Sequence, residues 1–176
     1  MRIIRYFLEY IAIIILFSLF KLLGYRIASE LGYFLGKKFG PFFRSKKIIE
    51  DNLNKFDTSL SSEKINKISE EMWGNYGRIL SEYPYISNFR RGDLDKYIKI
   101  ENVERLEEVN KDQPVVFVSA HFSNFELMAM AIEKAGINLS AIYRPLNNKM
   151  VNSIMEPLRK KYICKIHIKK GLNGVR

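Results

Sequence analysis

Side chains suited to redox or metal chemistry are scarce in this chain. A single cysteine, Cys164, excludes a fold stapled by disulfides. Only two histidines are present, His121 and His167, and no Cys-x-x-Cys pair or Cys/His cluster offers metal-ligand spacing. No metal site is therefore expected. Internal repeats and low-complexity segments are also missing. A hydrophobic content of 47% with 13% aromatics excludes an intrinsically disordered chain, and 176 residues suffice for a domain with an ordinary core.

Acidic residues are sparse at both ends. Residues 1–50 hold nine basic and three acidic side chains, and residues 151–176 hold seven and one. The stretch between is close to neutral, and the net charge is +10. The first basic block follows an apolar run. From Tyr6 to Leu23 only Glu9 and Lys21 are charged. With those two side chains reaching toward its ends, the run suits a helix that spans a bilayer or lies deep in one leaflet. No small-x-small cleavage site follows it, which favours an uncleaved anchor over a signal peptide. A buried core helix is the competing reading. Lys21, Arg26, Lys37, Lys38, Arg44, Lys46 and Lys47 come next, opposed only by Glu30. That excess predicts that the remainder of the chain lies on the cytoplasmic side of the membrane. Nucleic acid is not an expected partner, because the basic residues adjoin the anchor and no nucleic-acid-binding motif is present.

Three segments are expected: an anchor over 1–24, a helical region over 25–97, and an α/β region over 98–176. Ala28, Gly32, Gly36 and Gly40 recur every fourth residue, forming a small-residue stripe best suited to close packing within the chain. The polar stretch 57–62 predicts a cap for a helix over 63–83, with Ile65, Ile68, Met72, Tyr76, Ile79 and Leu80 inward. Beyond residue 97, Val115–Ser119 reads as a buried strand. A helix over 124–134 follows, with Leu127, Met128, Ala131 and Ile132 inward and Gly136 as its stop. A strand over 138–143, a helix capped by Asn147 or Asn148 and bent at Pro157, and a strand over 163–168 complete a β-α-β-α-β order. That order implies a parallel sheet, with ligands beyond the carboxyl ends of its strands. His167 is expected on a solvent-facing strand position and Cys164 in the core.

The chemistry sits where the first of these strands ends, in Ala120-His-Phe-Ser-Asn-Phe-Glu126. In a regular helix, five residues would put His121 and Glu126 on different faces. With His121 in the preceding turn and Glu126 in the first helical turn, the two can meet. A carboxylate on one imidazole nitrogen fixes the tautomer and supports charge on the other, which is the base-and-orienter half of a triad. No nucleophile elbow or reactive-cysteine motif supplies the third member, so a substrate hydroxyl is expected to be the nucleophile. The alternative is a histidine satisfied by a local hydrogen bond.

Ala120–Leu127 resembles the His-x4-Asp/Glu block of the lysophospholipid-acyltransferase-like superfamily, and more narrowly that of the late acyltransferases of lipid A biosynthesis. Tyr143-Arg-Pro-Leu-Asn-Asn148 resembles their second block, and Lys170-Gly171 with Gly174–Arg176 the start of a third. Asn75–Arg78 with Glu82, and Asp51–Leu53, fit the helical region before the catalytic block. Ser123 stands where the family typically has glycine, Phe125 where it has tryptophan, and Lys149 where proline is usual. Family members continue beyond the third block, so the resemblance implies an N-terminal portion with an α/β sheet incomplete at its C-terminus.

The resemblance implies transfer of an acyl chain from acyl carrier protein to a hydroxyl of a lipid A precursor at the bacterial inner membrane, with no further cofactor. His121 would be the general base and Glu126 its orienter. Arg144 would bind a glycolipid phosphate or the developing oxyanion, Asn124 would cap the helix or touch substrate, and Arg78 would contact substrate or pair with Glu82. The alternatives are a glycerolipid acyltransferase, whose usual Phe-Pro-Glu-Gly segment is absent, and a non-catalytic membrane-associated remnant of a split or degraded gene.

Overall fold

A computed structural model of the chain describes residues 2–102, 104–109 and 113–171. The fold is mostly helical with one small parallel sheet, and it divides into two compact units. One comprises residues 16–84; the other comprises residues 2–15 together with 85–171. Helix α1, Arg2–Leu23, contributes to both. It is the one helix among the described residues long and apolar enough to cross a membrane, with a mean hydropathy of 2.1. Only Phe20 of it is buried, so α1 is not an enclosed core helix.

In the unit of residues 16–84, Gly24 (φ +80°) breaks the chain between α1 and α2, Tyr25–Phe39. A 3-10 turn at Gly40–Phe42, with Pro41 at its start, ends that element. Helix α3, Lys46–Phe56, and helix α4, Ser62–Glu82, follow. The Ser61 hydroxyl accepts from the Lys64 amide at 3.3 Å and so caps α4, as the polar stretch before it predicts. Tyr76, expected inward, is instead exposed.

The small-residue stripe packs α2 directly onto α4. A Cβ at Gly77 would collide with the Gly32 carbonyl, and one at Gly36 with the Trp73 carbonyl. The helices therefore meet backbone to backbone, a distance that only glycine permits. Side chains then lock the register. Ser29 Oγ donates to Glu82 Oε1 at 2.8 Å, Tyr25 donates to the same carboxylate, and Tyr33 donates to Glu71 at 2.7 Å.

In the other unit, helix α5, Ile86–Arg91, ends at Gly92 in the left-handed conformation. A short helix α6, Glu104–Glu107, precedes α7, Glu126–Lys134, and residues 114–122 between them form neither helix nor strand. Strand β1, Ser140–Tyr143, crosses through α8, Lys149–Tyr162, to β2, Ile166–Lys169. The two strands pair in parallel, Ser140 opposite Ile166. Gly136 (φ +80°) stops α7 as predicted, but the helix faces inward through Met130 and Ile132 and leaves Met128 exposed. Asn148 caps α8: its Oδ1 accepts from Met150 and Val151, while its Nδ2 donates to Glu9 Oε2 at 2.8 Å and to the Tyr6 carbonyl. Cys164 is core, as expected, and donates its S–H to the Leu139 carbonyl.

The β-α-β-α-β order is only partly realised. Residues 115–119 form no strand, and Val116 and Val118 are 85% and 90% exposed. The reason is hydrogen bonding. A strand needs a neighbour for its backbone groups, and β1 and β2 pair with each other rather than with this run. Only Phe117 turns partly inward, along an open groove of about 710 Å³ lined also by Ile132, Leu139, Ile142 and Ile168.

Candidate active site

The site is a turn and a helix start. Residues 120–125 lead into α7, whose N-cap position is Phe125. No side-chain hydrogen bond caps α7, so the expected capping role of Asn124 is not the one it plays; its backbone carbonyl accepts from the Leu127 amide at 3.1 Å. The turn depends on Ser123, whose φ of +44° lies in the left-handed region. Side chains other than glycine and asparagine seldom adopt that conformation. It accounts for a glycine being the residue expected at this position.

His121 is exposed at the start of this turn, and its ring packs against that of Phe125 with centroids 4.3 Å apart. Glu126 lies in the first turn of α7, where the helix N-terminus favours a carboxylate. It is buried. Arg159, from the last turns of α8, donates both Nε (2.9 Å) and Nη2 (2.6 Å) to Glu126 Oε1. Among the described residues no hydrogen bond joins Glu126 to His121. The two residues stand at either end of one turn, their side chains taken up by different partners, and the carboxylate is secured by an arginine that sequence reasoning did not single out.

Arg144 immediately follows β1 and is exposed, at the carboxyl end of a parallel strand. Arg78 does not pair with Glu82. Its guanidinium donates to Glu30 Oε1 at 3.0 Å and stacks over the Tyr33 ring at 4.1 Å, both on α2. Glu82 instead accepts from Ser29 and Tyr25, because those hydroxyls reach it across the close glycine contact. Gly174–Arg176, read as the start of a third block, lie outside the described residues.

A second polar group lines the inner side of α8. Lys160 and Asn152, each four residues from Glu156, bond its carboxylate at 2.8 Å and hold its pKa down at about 2. His167 is not solvent-facing as expected: it is half-buried against the Tyr143 ring, with centroids 4.8 Å apart. Burial, with the Lys160 and Arg159 charges, keeps its imidazole below the ordinary histidine range. The spacing of Asn152, Glu156 and Lys160 was readable as a helical i, i+4 series. The Glu126–Arg159 pair was not, since it joins residues 33 apart. Among the described residues, no group of three or more His, Cys, Asp or Glu side chains is placed to hold a metal ion.

A sequence-family model described as bacterial lipid A biosynthesis acyltransferase matches residues 1–175. No curated protein and no solved structure matches the chain. The match takes in His121, Glu126 and Arg144 together with α1, and the chain belongs to the bacterial lipid A biosynthesis acyltransferase family.

Proposed function

We propose that this chain transfers a fatty acyl group from acyl carrier protein to a hydroxyl of a lipid A precursor, with His121 as general base. The observation that supports the reading is an exposed imidazole at the start of a turn that leads into a helix whose first residue is a buried, arginine-held carboxylate. His121 takes the proton of the acceptor hydroxyl as its oxygen attacks the thioester carbonyl. The tetrahedral intermediate collapses, the thiolate of the carrier departs, and the proton held on His121 passes to it. Glu126 orients the imidazole and supports its positive charge, through a contact of the kind that tightens only when substrate is bound. Arg144 meets a phosphate of the glycolipid, for which a guanidinium supplies two parallel N–H donors. Helix α1 anchors the chain in the bacterial inner membrane, and the basic residues after it keep the site on the cytoplasmic face.

The test is acyl transfer from radiolabelled acyl carrier protein in membranes containing the full chain. A tetra-acylated lipid A precursor should be acylated, and His121→Ala should abolish the product. Transfer to lysophosphatidic acid in place of the glycolipid would reassign the acceptor. Absence of transfer to either acceptor would overturn the enzymatic reading.

A further inference from the structure

The unit of residues 16–84 contains an open apolar cleft of about 430 Å³, well away in sequence from His121 and Glu126. Leu16, Phe20, Leu35, Phe39, Phe43 and Trp73 line it, with backbone from the glycines of α2 and α4. We infer that this cleft holds an acyl chain of a bilayer phospholipid whose acidic headgroup rests on Lys38 and Arg44. The inference rests on the membrane reading of α1.

Three observations identify the occupant. The first is depth. Phe20 and Leu16 stand three and seven residues before the end of α1, so in a spanning helix they lie roughly 5 and 10 Å below its end, among the acyl chains. The second is the rim. Phe42 and Phe43 are 85% and 81% exposed, and Phe39 is partly exposed. Bulky aromatics open to solvent around an apolar cleft are suited to a hydrocarbon surface. The third is charge. Lys38 and Arg44 directly bracket the Phe39–Phe43 segment, both are exposed, and Lys46 and Lys47 follow. Lys38 Nζ sits 5.6 Å from the centre of the Phe39 ring. A cationic rim over an apolar slot matches an anionic headgroup over its own chain, and basic segments beside a membrane helix attract acidic lipids.

Trp73 lines the cleft and is the sole tryptophan of the chain, so its fluorescence reports the contents directly. The full chain is reconstituted into two sets of vesicles. One contains a low mole fraction of phosphatidylglycerol with brominated acyl chains in plain phosphatidylcholine; the other contains the same fraction of brominated phosphatidylcholine in plain phosphatidylglycerol. Selective occupancy predicts quenching about twofold or more stronger in the first set. Lys38→Glu with Arg44→Glu should erase the difference. Leu35→Phe with Leu80→Phe, at two leucines that both line the slot, should fill it and weaken quenching in both sets. Equal quenching by the two brominated lipids in vesicle-bound wild type overturns the inference, whatever the variants do. A chain that does not bind vesicles at all overturns the membrane reading of α1 and the inference with it.

Discussion

The two units satisfy their backbones by different means. In residues 16–84 every major element is a helix, which hydrogen-bonds internally, so packing needs only shape. Glycine contacts between α2 and α4 supply that shape, and hydroxyls reaching Glu82 and Glu71 lock it. In residues 85–171 the apolar run at 115–118 has no pairing strand among the described residues, and most of its side chains are open to solvent. Polar pairs bridge the elements there: Glu126 to Arg159 between α7 and α8, and Asn148 to Glu9 between α8 and α1. The helical unit is held by close approach, while the unit bearing the candidate site depends on a few polar bridges. Substitutions should therefore act differently in each.

The largest expected effect separates chemistry from stability. His121→Ala should lower acyl transfer by about 10²–10⁴-fold with an unchanged melting temperature, since the side chain is exposed. Glu126→Ala should lose transfer and also destabilise the fold by about 3 kcal/mol, because it leaves the Arg159 charge largely covered and without this carboxylate. A urea titration distinguishes the two variants. If Glu126→Ala unfolds like wild type, the bridge is not holding α7 to α8.

Next comes the helical unit. Gly77→Leu should cost about 3 kcal/mol, because its Cβ meets the Gly32 carbonyl and neither backbone can yield. The loss should appear in far-ultraviolet circular dichroism of the thermal transition. A tolerated leucine would show that α2 and α4 do not meet at this distance. Ser123→Gly should move the other way, gaining about 1 kcal/mol by relieving a left-handed φ. A melting temperature that fails to rise would mean that the Ser123 side chain contributes as much as the strain costs.

Acid should weaken the unit around α8 before it changes the α2–α4 contact. The His167 pKa lies below its ordinary 6.5, so the unfolded chain binds that proton more readily and stability falls as pH drops through 6.5. The Glu156 pKa is depressed from 4.5 to about 2, so its contribution is complete above 4.5 and declines as pH falls toward 2. Glu156→Gln should flatten the lower limb of the stability profile, and His167→Asn the upper one. A parallel shift of the whole curve by either variant would contradict these assignments.

Local signals carried much of the fold. The apolar run over 6–23, the glycine spacing from Ala28 to Gly40, the cap at Ser61, the stop at Gly136 and the cap at Asn148 each lie within a few residues of the feature they specify. For the same reason the turn with His121 before Glu126 was legible as a candidate site. The strand over 115–119 was not correctly read, because β-branched composition measures fitness for a sheet and says nothing of a partner. Arg78 was assigned to Glu82 by helical spacing, yet α2 brings Glu30 and Tyr33 close enough to take it.

The sequence by itself determined the caps of α4 and α8, the stop of α7, where charge accumulates, and which turn carries a histidine and a glutamate. These properties arise from short-range sterics, capping and periodicity. Only the tertiary structure decided that the glycine stripe of α2 seats against Gly77 and Trp73, that Arg159 secures Glu126, and that Glu82 serves Ser29 and Tyr25. Each of these pairs residues more than thirty positions apart. Composition and spacing do not encode which of several nearby charges is met first. That choice belongs to the packing of whole helices, because the direction of a side chain counts only once a second surface faces it.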